Sequence, residues 1–269
     1  MKRNIHLTVM DPAGNVTIFV WDRFHRTEYA VVAKQLLSRE DLRGEQVAFI
    51  LDITGQSGMP PAMEMCGLEF CGNASRSFAL LSAQARGLHG AQSVTVSVSG
   101  ADEPLEVLVD PDTNATRIRM PLPLRILDDV IDDQPVRIVD FGGIFLHVLT
   151  SNVAATAATY QKFRDHALKK YAPPAVGVMF WDGQAEALIP VVYVPDVDST
   201  YWEGSCASGS TATAICLALA AGDGEHHYRL RQPAGVIETT CIVRDGQVQE
   251  VYLEGPVTTT ADLMTEIEL

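Results

Sequence analysis

Apolar and polar residues alternate from Ile5 to Val9, the turn-rich DPAGN follows, and Val16 to Val20 is apolar again, a pattern that predicts a β-hairpin. Thr27 reads as the N-cap of a helix running to Arg39, with Ala30, Leu36 and Leu37 among its apolar positions. Gln46 to Ile53 has the character of a buried strand, and Gly55 to Pro61 that of a loop. In the next segment Ala74, Phe78, Leu81 and Ala85 recur at helical spacing, and Gly87 ends the run. Ser93 to Ser99 alternates at period two, and Pro104 to Val109 and Thr116 to Met120 continue the strands.

After Pro121 to Pro135, whose prolines and aspartates read as a connection, the order starts again. Val136 to Val139, the glycine pair Gly142 and Gly143, and Ile144 to Leu149 predict strand, turn and strand. A helix over Thr156 to Lys170 follows, then strands at Val176 to Phe180 and Leu188 to Val194. An apolar helix ends at Gly222, and strands near Tyr228 to Arg231, Val236 to Val243 and Val248 to Leu253 complete the series. The order of elements repeats although most residues do not, which predicts an internal duplication. The expected division is a half over 1–122, a linker over 123–135, a second half over 136–257 and a tail over 258–269.

Each half contains one cysteine placed before tiny polar residues and an apolar helix: EFCGNASRSFALLSA holds Cys71 and GSCASGSTATAICLAL holds Cys206. Helices apolar on nearly all sides belong at the centre of their halves, wrapped by strands. The fold class expected is therefore α+β, with two pseudo-symmetric domains. Gly72, Asn73 and Ala74, and likewise Ala207, Ser208 and Gly209, leave helix-start N–H groups uncovered, which suits a carboxylate. The same field favours thiolate over thiol and predicts cysteines that titrate below the free value of about 8.5. Two such thiols facing one ligand suit two-base proton transfer at a carbon, one sulfur removing a proton and the other returning one.

Composition changes this picture little. The 269 residues are 47% hydrophobic and 20% charged, an ordinary globular balance. A net charge of −14 opposes binding to nucleic acid or anionic lipid. No apolar stretch reaches the ~18 residues of a membrane span, and the start lacks a signal-peptide run, so a cytoplasmic location is expected. Five cysteines argue against a secreted disulfide framework. Cys66, Cys216 and Cys241 read as core thiols. No metal site is expected, since neither C-x-x-C nor H-x-x-x-H occurs, and His226 with His227 reads as a solvated turn. A homodimer is compatible with the sequence, which does not specify oligomeric state.

Phe70 to Ala74, FCGNA, and Ser205 to Ser210, SCASGS, resemble the two cysteine motifs of the diaminopimelate epimerase superfamily of racemases. Gly14-Asn15, Gln46 and the segment RDGQVQEVYLEGP from Arg244 to Pro256 also look like that family. The resemblance implies a cofactor-independent isomerase of two domains, each a barrel-like, mainly antiparallel sheet around a central helix. It implies catalytic Cys71 and Cys206, and a final segment that returns to the first domain. Two departures bear on substrate. Those epimerases carry Glu-Arg-Gly before the second cysteine, whereas YWEGSC has no arginine and puts Glu203 three residues before Cys206. The family's Asn-Pro-His turn and strand asparagine correspond here to Gly142-Gly143-Ile144 and Gly177.

The combination of EQV at Glu45 to Val47, EFCGNA and WE-x-SC-x-SG is similar instead to the histidine racemases of staphylopine-type metallophore synthesis. That similarity implies histidine as the small-molecule substrate. It also implies contacts from Asn15, Glu45, Gln46, Gly72, Asn73, Glu203, Ala207 and Ser208, with Trp181, Tyr201 and Trp202 near the side-chain pocket. Diaminopimelate or another amino acid as substrate stays open, as does a non-catalytic amino-acid-binding or thiol-redox protein. Proline racemases, with CGHG at the first motif, and the phenazine-type isomerases, without the cysteine pair, fit less well.

Overall fold

The computed structural model describes residues 2–55, 58–142, 145–195 and 198–269. The chain divides into two compact units: Met1–Arg119 with Glu254–Leu269, and Met120–Leu253. The fold is mixed α+β, mainly antiparallel, with four α-helices among the described residues. None of these helices is long and apolar enough to cross a membrane.

In the first unit, β1 (Lys2–Asp11) and β2 (Thr17–Val20) form the expected antiparallel pair. A short 3₁₀ turn then leads to α1 (Tyr29–Leu37). Thr27 is not the cap: the His25 side chain accepts from the Thr27 N–H, and Glu28 reaches back to the His25 backbone. This box sets the start of the helix, and the buried face becomes Tyr29, Val32, Ala33 and Leu36, leaving Ala30 and Leu37 exposed. β3 (Gln46–Asp52) runs parallel to β2 and antiparallel to β4 (Ala62–Met65). Four residues beside Pro61 gave β4 too little pattern to be read from sequence.

Next come α2 (Gly72–Ala85), β5 (Gln92–Val98), β6 (Leu105–Asp110) and β7 (Ala115–Arg119). β4 pairs parallel with β5, and β5, β6 and β7 pair antiparallel in turn. Every residue of α2 from Gly72 to Ala83 is buried, so the helix has no solvent face in its first three turns. The helix ends where Arg86 caps it and Gly87 turns left-handed at φ 66°.

The second unit opens with β8 (Arg125–Ile131) and β9 (Gln134–Asp140), an antiparallel hairpin. The stretch 123–135 is thus not a linker. Its residues form the two strands and the turn of this hairpin, with Asp129 paired to Lys170 and 2.9 Å from His166 Nε2, and Asp128 paired to Arg137. β10 (Leu146–Ser151) pairs antiparallel with β9. Of the Gly142-Gly143-Ile144 turn, Gly143 and Ile144 lie outside the described residues. α3 (Ala157–Tyr171) is capped by Thr156, whose side chain accepts from the Thr159 N–H at 3.2 Å.

β11 (Val176–Asp182) runs parallel to β10 and antiparallel to β12 (Ala187–Val194). β13 (Ser199–Trp202) pairs antiparallel with β12 and carries Tyr201 and Trp202 exposed, about half of each in solvent. α4 (Ala207–Ala221) is buried on nearly every side. β14 (Gly224–Gln232) touches β12 in parallel register at Ala187 and Arg231, and pairs antiparallel with β15 (Gly235–Arg244). His226 and His227 lie on β14 and not in a turn, because their alternation with Tyr228 continues the ladder against β15.

β16 (Gln247–Pro256) leaves the second unit at Glu254, and β17 (Thr258–Glu268) pairs antiparallel along β1 in the first.

Candidate active site

Cys71 is the N-cap of α2, with extended torsions of φ −132° and ψ 112°. Its sulfur accepts from the Ala74 N–H at 3.5 Å, one of the helix-start donors with no partner inside the helix. Gly100 shapes the approach: at φ +73° it lies so close to the Phe70 backbone that an added Cβ would meet Phe70 N at 2.2 Å.

Around this sulfur the first unit gathers the polar residues that the sequence singled out. Gln46, at the start of β3, donates Nε2–H to Cys71 Sγ at 3.3 Å, to Asn15 Oδ1 at 2.9 Å and to Thr17 Oγ1 at 2.8 Å. Asn15 Oδ1 also faces the Cys71 thiol at 3.7 Å and accepts from Asn73 Nδ2 at 3.4 Å. On its other side Asn15 donates to Glu45 Oε2 at 3.4 Å. Glu45 reaches solvent at its edge, yet burial lifts its carboxyl above the ordinary value. The Asn15 amide opposes this shift and Asp11 adds to it.

Cys206 is the N-cap of α4 with φ −131° and ψ 113°. Its sulfur accepts from the Gly209 N–H at 3.4 Å and meets Ser208 Oγ at 3.6 Å. The Cys206 N–H donates to Gln232 Oε1 at 2.8 Å, and Gln232 Nε2 donates to Ser210 Oγ at 2.8 Å. Gly209 lets Met179 pack close to the first turn, since an added Cβ would stand 2.2 Å from Met179 Sδ and the thioether would have to move. Ser75 and Ser210 play one part in their respective helices, each hydroxyl donating back to the cysteine carbonyl, at 2.7 and 2.6 Å. Of the residues expected around Cys206, Ala207 and Ser208 form the first turn of α4, and Glu203 is close enough to act on the thiol.

Both thiols depart from the expectation of a lowered pKa. Burial pushes Cys71 up, with the Ala74 and Gln46 donors pulling it back and Glu69 adding to the rise. Cys206 is pushed up well above the usual thiol range by burial first and then by the Glu203 carboxylate. Desolvation of a thiolate outweighs the partial charge of a helix end when the sulfur has little water around it.

Three contributors were not picked out in the sequence: Thr17, Gln232 and Arg76, whose Nε donates to Asn73 Oδ1 at 3.2 Å. Thr17 and Gln232 sit on strands with no local signature, and their roles come from strand pairing alone. Arg76 did leave a signal. It is the lone cation in a helix apolar on nearly all sides, and such a group must find acceptors wherever the helix is buried. Trp181 lines a cavity of about 440 Å³ in the second unit together with Asn152, Asp182 and Ile189, and Cys206 is not among the residues lining it.

Residues 4–263 match the family described as histidine racemase CntK N-terminal domain. The chain belongs to the histidine racemase family. It is 30% identical to a histidine racemase of Fusobacterium nucleatum over 264 residues, covering 94% of each chain. With a histidine racemase of Staphylococcus aureus it shares 27% identity over 99% of each chain. Among solved structures it resembles the Bacillus anthracis phenazine biosynthesis protein of the PhzF family, at a TM-score of 0.66 and 12% identity over the whole of both chains. This last likeness shows the fold alone. The described geometry offers a thiol capping a buried helix in each unit.

Proposed function

We propose that this histidine racemase family member interconverts L- and D-histidine without a cofactor, Cys71 and Cys206 acting as the thiolate and thiol of a two-base proton transfer. The reaction class follows from the family, and the substrate from what the full-length relatives are named for. One observation carries the assignment of the bases. The two cysteines share one local geometry, N-cap torsions within a degree of each other with a sulfur accepting from the third helical N–H.

In the proposed cycle one thiolate removes the α-hydrogen as a proton, and the electron pair left on carbon delocalises into the carboxylate. The other thiol delivers its proton to the opposite face, inverting the centre. The thiol and thiolate have then exchanged roles, and exchange with solvent restores them. The uncovered N–H groups of Gly72, Asn73, Ala207 and Ser208 are proposed to hold the substrate carboxylate and to stabilise the charge that develops on it. Asn15, Glu45 and Glu203 are proposed to meet the amino group or imidazole, and Gln46 to hold Cys71 in place. The wider architecture is proposed to be a duplicated, barrel-like plan around a central helix. It is supported by a shared succession of strand pairings, antiparallel, parallel, antiparallel, parallel and antiparallel, in the two units.

Incubation with L-histidine in heavy water tests this reading. The expected result is deuterium at the α-carbon together with accumulation of D-histidine. Exchange with diaminopimelate but not histidine would overturn the substrate. Absence of exchange with every amino acid would favour a binding or thiol-redox protein.

A further inference from the structure

Arg76 is the largest fully buried side chain among the described residues, with no solvent exposure, and no carboxylate among them lies within ion-pair distance. An unpaired buried charge is costly, so its surroundings must be built to keep it. All its contacts are neutral acceptors. Nε donates to Asn73 Oδ1 at 3.2 Å, one Nη to Thr116 Oγ1 and Gly255 O at 3.0 Å each, and the other Nη to Pro12 O at 2.7 Å.

A guanidinium can only donate, so Asn73 must turn its oxygen toward Arg76 and its NH₂ toward Asn15. Asn15 must then offer its oxygen at that junction, where Gln46 and Cys71 also meet it, and its NH₂ is left to face Glu45. The Pro12 contact ties down the turn that carries Asn15, and the Gly255 contact ties in the returning end of β16.

We infer that Arg76 is the positioning residue of the Cys71 site: a locked, donor-only cation sets the direction of the Asn73 and Asn15 amide chain that ends on Cys71 and Glu45. The inference deepens the two-base reading and rests on it for its catalytic meaning. The second cysteine lacks this device, since Thr211 occupies the matching position of α4 and spends its hydroxyl on the Ala207 carbonyl at 2.9 Å.

The charged groups around the site are Asp11, Glu45 and Glu69; of these Glu69 opposes a Cys71 thiolate, while Asp11 acts on Glu45 and on Arg76, and Arg76 and Cys71 act on each other. Arg76 is the one buried cation beside them, and burial lowers it to about 10, so it stays charged at neutral pH. With Arg76 gone, a reversed chain would exchange one amide donor on the sulfur, Gln46, for another, Asn15. The lost charge therefore decides the sign, and the thiol becomes harder to ionise.

The test is the pH profile of thiol alkylation by iodoacetamide, read for each cysteine by peptide mass spectrometry, which needs no substrate or turnover. In Arg76→Met the Cys71 midpoint is expected to rise by about one pH unit or more, while that of Cys206 stays in place. Arg76→Lys keeps the charge and loses the planar fork, and its midpoint should fall between those of the wild type and Arg76→Met. A folded Arg76→Met protein with an unchanged Cys71 midpoint overturns the inference whether or not histidine proves to be the substrate. Should that variant not fold, the wild type decides: Cys71 must ionise at lower pH than Cys206, and the reverse order overturns the inference. Loss of histidine exchange with normal midpoints would count against the two-base reading instead.

Discussion

Gln46 Nε2 donates to Cys71 Sγ at 3.3 Å, and the same NH₂ reaches Asn15 and Thr17, so one amide joins β3 to the cap of α2. A donor at the sulfur stabilises the thiolate. In Gln46→Leu the thiolate loses that partner, and kcat/KM should fall ~10- to 100-fold, the worth of one hydrogen bond to a charged group. The Cys71 midpoint should move to higher pH. Steady-state racemisation across pH 6 to 10, roughly the range over which a thiol ionises, checks both, and an unchanged profile would contradict the role given to Gln46.

Serine at either cap removes the thiol and keeps a helix-capping oxygen. Cys71→Ser and Cys206→Ser should each remain folded and lose ~100-fold or more in racemisation, within the range for general acid–base groups. Circular dichroism establishes the fold, and polarimetry follows the reaction. Full activity in either variant would remove that cysteine from the mechanism.

Glu203 has the opposite effect from Gln46, because its carboxylate adds to the rise that burial already gives the Cys206 thiol. In Glu203→Gln the repulsion is gone and the Cys206 midpoint should shift to lower pH. A group with a raised pKa holds its proton up to that higher value, so the variant should lose its proton-donating thiol earlier as pH rises. Alkylation read at the Cys206 peptide reports the shift, and a rise instead of a fall would reverse the assignment.

His147 is fully buried on β10 beside Phe145 and Phe141, and burial lowers its pKa to about 3. The unfolded chain titrates near the ordinary value of about 6.5 and so binds more protons between these two values. Stability is therefore full above ~6.5 and declines as pH falls toward about 3. His147→Leu should remove this share of the acid sensitivity, measured as a smaller drop in Tm between pH 7.5 and pH 5, roughly the upper part of the window. An identical drop in both proteins would rule it out.

Gly177 faces His147 across the parallel β10–β11 ladder, and an added Cβ would meet the ring nitrogen Nδ1 at 2.1 Å. The ring is held against Phe145, so it has little freedom to yield. Gly177→Ala is expected to cost about 1 to 3 kcal/mol, the usual range for overpacking, and urea titration measures it. A neutral effect would mean that the ring can move.

The strands and helices were legible where periodicity was long, as in α2 with Phe78 and Leu81, or α3 with its Thr156 cap. They were misread where partners on other elements decided the outcome. Asp128 and Asp129 read as part of a connection, but the backbone ladder between β8 and β9 makes them strand residues, and Asp129 also reaches Lys170 of α3. His226 and His227 looked like a turn until β15 supplied a partner strand.

The sequence by itself determined that two cysteines each cap an apolar helix, because the cap, the small residues and the apolar run are local and add along the chain. Through resemblance to known motifs it also singled out Asn15, Gln46 and Asn73, whose side chains the structure gathers at Cys71. Only the tertiary structure decided that one Gln46 amide joins Asn15 to Cys71, that burial drives both thiols up and not down, and that Arg76 stands behind Asn73. Desolvation and hydrogen-bond direction depend on what packs around a group from distant parts of the chain, and no local pattern carries that information.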